Sequence, residues 1–148
     1  VKVISFGLMS EMFSILKPMD KSSIASVYKI EPDEMEMYLP ILANYRNLCA
    51  HEDIVFNHFT QRIIPDTKYH SMLQIDKTNN EYIYGKNDIF ALIIILKRLL
   101  TKVDFKMMMN EINYEFDRLC GKLHVIKIDD VINAMGFPPN YKDIMYME

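Results

Sequence analysis

A chain of 148 residues that is half hydrophobic and one quarter charged, with only 4 glycines and 6 prolines, can bury a full core and does not have the composition of a disordered or low-complexity protein. Its net charge of −3 sets up no global positive field to gather nucleic acid, so any contact with a polyanion must come from a local cluster. The longest apolar stretch, IFALIIILKRLL from Ile89, is broken by Lys97 and Arg98 and falls short of the about 20 residues a bilayer span requires.

No membrane association is therefore expected. The two cysteines, Cys49 and Cys120, lie far apart inside helix-like runs and read as buried free thiols of a reducing, cytoplasmic compartment. The opening VKVISFG has neither an initiator Met nor a leader-like pattern, which is expected of the C-terminal part of a longer protein, with residues 1–148 forming one domain.

Taken in chain order, Phe6, Met9, Phe13 and Leu16 recur at helical spacing, with Ser5 as N-cap and Pro18 closing the segment. SSIASVY predicts a short second helix capped by Asp20 or Ser22, with Ile24, Val27 and Tyr28 inward. A third opens at EPDE, where Pro32 suits the first turn and Asp33 and Glu34 favour the positive end of the helix dipole. It meets Pro40, where a kink or a fresh start is expected. Leu42, Tyr45, Leu48 and Cys49 keep the period, and Ile54, Val55 and Phe59 extend it, so that NYRNLCAHED falls near the middle of a long helix.

From Pro65 to Gly85 there is no helical period, and DKTNN predicts a hairpin or ordered loop. Asn87 is expected to cap an apolar core helix over residues 88–100. Asp104 is expected to cap another with Phe105, Met108, Ile112, Phe116 and Leu119 inward, ending at Gly121. Met107, Met108 and Met109 read as core filler. DDVINAM forms a last short helix that stops at Gly136 before two prolines. The sum is an all-α helical bundle of five or six helices with one irregular or hairpin insertion near residues 65–86.

The chemistry-bearing residues cluster in NYRNLCAHED. Arg46 and His51 are five apart, roughly 140° around a helix, so a simple intrahelical pair is a poor account of them. Asn47 and His51 are four apart and share a face, where the amide could hold the imidazole in one tautomer. Brought together, a guanidinium can hold a phosphate bidentately while an imidazole moves a proton, and RNA supplies its own 2′-hydroxyl nucleophile. The plain alternative puts Arg46 in a surface ion pair and makes His51 a polar helix-end residue. Glu52 and Asp53 place negative charge beside the phosphate site, which opposes RNA, or else form a solvated face.

RNLCAHEDIVFN, residues 46–57, resembles the RNxxAH motif and trailing Asn of abortive infection proteins of the AbiD/AbiF type, a branch of the HEPN superfamily of helical domains. ISFGLMSEMFSILK, NDIFALIIILKRLL and INAMGFPPNY resemble further family segments in the same order, with Tyr141 where an aromatic is usual. The resemblance implies a HEPN-like domain and a phage-defence role. It also implies a metal-independent endoribonuclease acting as a homodimer on RNA, with no cofactor.

Carried over by residue, it implies that Arg46 and His51 are catalytic and that Asn47 and Asn57 support them. An antitoxin or phage-derived trigger is the further partner expected. A Tyr common two positions after the His in HEPN toxins paired with nucleotidyltransferase antitoxins is Asp53 here, which argues against regulation through such a Tyr. His58, seven residues after His51, would share its face and lie close to the RNA. A metal site between His58 and Glu52 or Asp53 is disfavoured, because no two histidines have the three- or four-residue spacing of helical ligands. His70 and His124 have no informative neighbours. The competing function is a non-catalytic helical module that binds RNA or a protein.

Overall fold

The computed structural model describes residues 5–148, and the chain is mostly helical. The Ser5 hydroxyl accepts the Leu8 N–H at 3.2 Å and starts α1, Phe6–Ser14. Two further helices follow, α2 (Pro18–Val27) and α3 (Pro32–Ala50). A long connection contains the five-residue α4 (Lys68–Met72) and a hairpin of β1 (Lys77–Thr78) with β2 (Glu81–Tyr82). Then come α5 (Ile89–Leu99), α6 (Lys102–Cys120), α7 (Ile128–Ala134) and a closing 3₁₀ turn, Tyr141–Met145. The all-α class is as expected, and among the described residues there are seven α-helices against the five or six expected, because α4 is too short to carry a detectable period and lies inside the irregular segment. The hairpin expected at DKTNN forms, and Asn79 and Asn80 both take positive φ, as a two-residue turn between right-twisted strands requires.

The core is built on α5, whose Phe90, Ala91, Ile93, Ile94 and Ile95 are essentially excluded from solvent. Met35, Tyr38, Ile41 and Tyr45 of α3 join the same core. Arg98 in the last turn of α5 donates two hydrogen bonds, both 3.0 Å, to Glu34 in the first turn of α3, and so ties the two helices together. Phe105, Met109 and Phe116 of α6 close another side, where Phe116, Phe137 and Tyr141 pack edge to face.

Several local expectations are corrected. Pro18 begins α2 instead of merely ending α1, because proline is tolerated in a helix's first turn. Ala25 is the residue α2 buries, while Ile24, Val27 and Tyr28 stay exposed, so the face of α2 that lies inward against α3 is not the one expected. Asp88, not Asn87, caps α5, and Thr101, not Asp104, caps α6, so each true cap is an oxygen-bearing residue next to or near the expected one. Both cysteines are exposed. Of the three consecutive methionines Met109 is buried, Met108 half-buried and Met107 exposed, since one helix face cannot hold three neighbours.

The largest correction concerns α3, which runs through Pro40 but stops at Ala50. His51 is its C-cap and Glu52 takes the left-handed conformation at φ +55. The Asp53 N–H then reaches the Leu48 carbonyl at 3.0 Å and the Glu52 N–H the Cys49 carbonyl, the pair of bonds that closes a Schellman turn. Residues 54–59 therefore form no helix, and the motif lies at the end of α3 instead of its middle. The stop was hidden because the left-handed position carries a glutamate where glycine is usual. Glu52→Gly is accordingly expected to raise stability by about 0.5–1 kcal/mol, read as a higher midpoint in urea with an unchanged slope.

Candidate functional site

Lys21, in the first turns of α2, lies over the Phe13 ring near the end of α1 and pairs with Glu36 near the start of α3. α1 packs along α3, with Gly7 and Ser10 in the same lining as Asn44 and Asn47. Small residues on α1 (Gly7, Ser10, Ser14) face Pro40, Ala43, Asn44 and Asn47 on α3, and the gap between them is a groove of about 380 Å³. A second depression of about 200 Å³ adjoins it, sharing Pro40, Asn44 and Arg62. Pro40 has no N–H to give the Glu36 carbonyl, so α3 continues past it with one backbone bond missing beside the groove.

Of the motif residues Asn47 lines this groove, with Arg46 beside it and His51 at the C-terminal end of α3. Arg46 and Asn47 are exposed, and the Arg46 Nη1 donates to the Asn47 Oδ1 at 3.2 Å. Asn47 is therefore engaged by Arg46, and no hydrogen bond joins its amide to the His51 ring as the four-residue spacing suggested. His51 is exposed at the helix end, its backbone N–H used by the Asn47 carbonyl and its imidazole without a hydrogen-bond partner among the described residues. No carboxylate pairs with either Arg46 or His51 among the described residues, although Glu52 and Asp53 follow directly. Half of the plain alternative thus describes the geometry, because His51 is a helix-end residue, while the ion pair it assigned to Arg46 is not formed.

Asn57 is exposed in the turn after the helix and is not joined to Arg46, Asn47 or His51 by a hydrogen bond. His58 does not share a helical face with His51. It folds back so that its Nε2 meets the Asn44 Oδ1 at 2.7 Å, and its ring meets Tyr45 edge to face at 5.4 Å. The Tyr45 hydroxyl donates to the His58 carbonyl at 3.3 Å, and burial holds that phenol well above its ordinary titration range. Tyr45 thus fixes the turn from the core side. Among the described residues no group of three or more His, Cys, Asp or Glu side chains is placed to hold a metal ion.

Residues 1–57 match the Abi-like protein family. The Abi-like stretch contains α1, α2, α3 and the whole Arg46–Asn57 motif, and it ends where the chain turns back at His58. No curated protein and no solved structure shows significant similarity to the chain. Among the described residues no helix is long and apolar enough to cross a membrane.

Two groups escaped the sequence reading. Arg62 lines both depressions together with residues of α3, yet nothing in FTQRIIP announces it, because its place depends on how residues 60–64 cross the fold. His70 is fully buried. Its Nδ1 accepts the Thr67 N–H at 3.0 Å and its Nε2–H donates to the Gly85 carbonyl at 2.8 Å, while burial lowers its pKa. It is a neutral strut of the insertion, and the capping box it forms with Thr67 uses His where Glu or Gln is customary.

Proposed function

We propose that this chain serves abortive-infection phage defence as a HEPN-type, metal-independent endoribonuclease acting through Arg46 and His51. The observation that carries the reading is their placement. Arg46, Asn47 and His51 stand exposed at one helix end, unneutralised by carboxylates, inside the stretch that matches the Abi-like family.

In the reaction the RNA 2′-oxygen attacks the adjacent phosphorus. The 2′-hydroxyl proton passes to an imidazole, the bond from phosphorus to the 5′-oxygen breaks, and that oxygen takes a proton. The products are a 2′,3′-cyclic phosphate and a 5′-hydroxyl. The guanidinium of Arg46 offsets the charge that builds on the phosphoryl oxygens, and Asn47 orients it through the bond at 3.2 Å.

One imidazole cannot stand on both sides of the phosphorus at once, and within one chain Arg46 is bound to Asn47 instead of His51. A homodimer supplies a second His51 and completes an acid and base pair. The test is subunit dilution in excess chelator. Adding an excess of His51→Ala chains to the parent should suppress cleavage once subunits exchange, because a mixed dimer keeps only one His51 and lacks half of the acid and base pair. Parental activity that survives full subunit exchange would rule out a shared site.

One observation favours the competing protein-binding role. Leu8 and Met12 on α1, Ile15 just after it and Met19 at the start of α2 are exposed apolar side chains, a surface suited to a protein such as an antitoxin or phage-derived trigger. The two readings separate on whether the isolated chain cleaves RNA at all.

A further inference from the structure

The chain has four arginines, and they divide cleanly. Arg98 is bound by Glu34 and Arg118 by Glu115, while Arg46 and Arg62 have no carboxylate partner among the described residues. Arg62 lines the α1/α3 groove together with Asn47, and Arg46 lies next to it through its bond to that asparagine.

The segment that carries Arg62 is strapped down on both sides. The Thr60 N–H reaches the Asn87 carbonyl at 2.7 Å, and the Ile64 N–H reaches the Lys86 carbonyl at 2.9 Å. The Thr60 hydroxyl donates to the Arg62 carbonyl at 2.6 Å, and the Ile64 side chain is fully buried. The backbone of Arg62 is thereby held in place while its side chain remains exposed to the groove. This is the arrangement of a presented cation, with the backbone ordered before a ligand arrives and only the side chain left to be fixed.

The floor of the groove has a definite hydrogen-bonding sense. A guanidinium only donates, so the Asn47 oxygen accepts from Arg46. The Asn44 oxygen meets His58 Nε2 at 2.7 Å and accepts from it in the Nε2–H tautomer. Neither amide NH₂ group has a partner among the described residues, so with Arg62 in the same lining the groove has donors to spare. Such a surface fits an anion.

Of the two carboxylates that border it, Glu36 is neutralised by Lys21, leaving the exposed Glu11 as the one opposing charge among the lining residues.

We infer that Arg62, with the amides of Asn44 and Asn47, forms a backbone-phosphate subsite for single-stranded RNA next to the Arg46/His51 end of α3. The inference rests on the nuclease reading for the identity of the polyanion and extends it by assigning where the strand is held. Arg62 is a substrate-binding residue here, with no part in proton transfer.

The test uses the 148-residue chain and a 2′-O-methylated single-stranded RNA, which keeps every phosphate but has no nucleophile. Arg62→Ala should weaken binding about tenfold across unrelated sequences and lower the salt slope of the affinity by about one. Arg62→Lys, which keeps a point charge, should recover the slope but not the full affinity. Glu11→Gln should tighten binding by about twofold as a repulsive charge is removed. Thermal midpoints equal to the parent's establish that the exposed substitutions leave the fold intact.

Parental affinity and salt slope in Arg62→Ala would overturn the subsite, and cleavage of ordinary RNA that still depends on His51 would leave the nuclease reading standing. Arg62-dependent binding without cleavage would do the reverse. A parent chain that does not bind the RNA would overturn both.

Discussion

His51→Ala is expected to lower RNA cleavage in excess chelator by about 10²–10⁴-fold, the usual contribution of a positioned general acid or base. The same substitution should change stability by no more than about 0.5 kcal/mol, because the imidazole is exposed and makes no hydrogen bond within the described chain. The combination is diagnostic. A residue kept for packing would lose stability along with activity, whereas a residue kept for chemistry loses activity alone. Single-turnover cleavage of a labelled RNA, paired with a urea titration, reads both quantities, and cleavage at the parental rate would remove His51 from the mechanism.

Gly136→Ala is expected to produce the largest loss of stability, roughly 3–5 kcal/mol from backbone strain and overpacking together. Gly136 takes φ +86, and a Cβ built there would overlap the Asp88 carboxyl group. The Asp88 carboxylate itself caps α5, accepting the Ala91 N–H at 2.9 Å and the Gly85 N–H at 2.9 Å. Gly85 in turn receives the His70 Nε2–H on its carbonyl. The insertion, the core helix and the closing MGFP segment therefore meet at one buried polar knot, and the glycine is what allows the last of them to close over it. For a chain of this size the loss should appear as a drop in melting temperature of roughly 10 °C.

Burial at that knot pushes Asp88 up to about 6 from 3.8, which makes it a titrating part of the fold. A carboxyl whose folded value is raised contributes stability that is complete below about pH 4 and is lost as pH rises through about 6. Relative to Asp88→Asn, the parent should therefore gain on the order of 2–3 kcal/mol between pH 7 and pH 4. His70 acts in the opposite direction. Its lowered folded value costs stability as pH falls through 6.5, so the difference between the two proteins, and not the parental profile alone, isolates Asp88. Melting curves of both proteins across that pH range check the sign.

Periodicity carried most of the architecture. The apolar repeats over α1, α5 and α6, the turn chemistry of Asn79 and Asn80, and the prolines after Gly136 are local signals, and each produced the element it announced. The errors fell where the deciding interaction is a single bond or a neighbour. Asp88 outcompeted Asn87 as a cap because its carboxylate also reaches Gly85. Ala25, not Ile24, is buried in α2 because the helix sits close to α3. The end of α3 was missed because Glu52 occupies a conformation that composition assigns to glycine.

The motif was legible as chemistry but not as geometry. Residue types at 46, 47 and 51 pointed to phosphate chemistry, and the Abi-like match includes them. Their partners were not legible, since Asn47 serves Arg46 and His58 serves Asn44 only after the chain reverses beyond His51.

What the sequence determined by itself was the all-α class, the order of its main helices and the polar motif, because propensity, capping and hydrophobic period act between residues near one another in the chain. What only the tertiary structure decided was the groove between α1 and α3 and the approach of Arg62 to it. That approach depends on bonds from residues 60 and 64 to residues 87 and 86, and no spacing within FTQRIIP encodes a contact made across more than twenty residues.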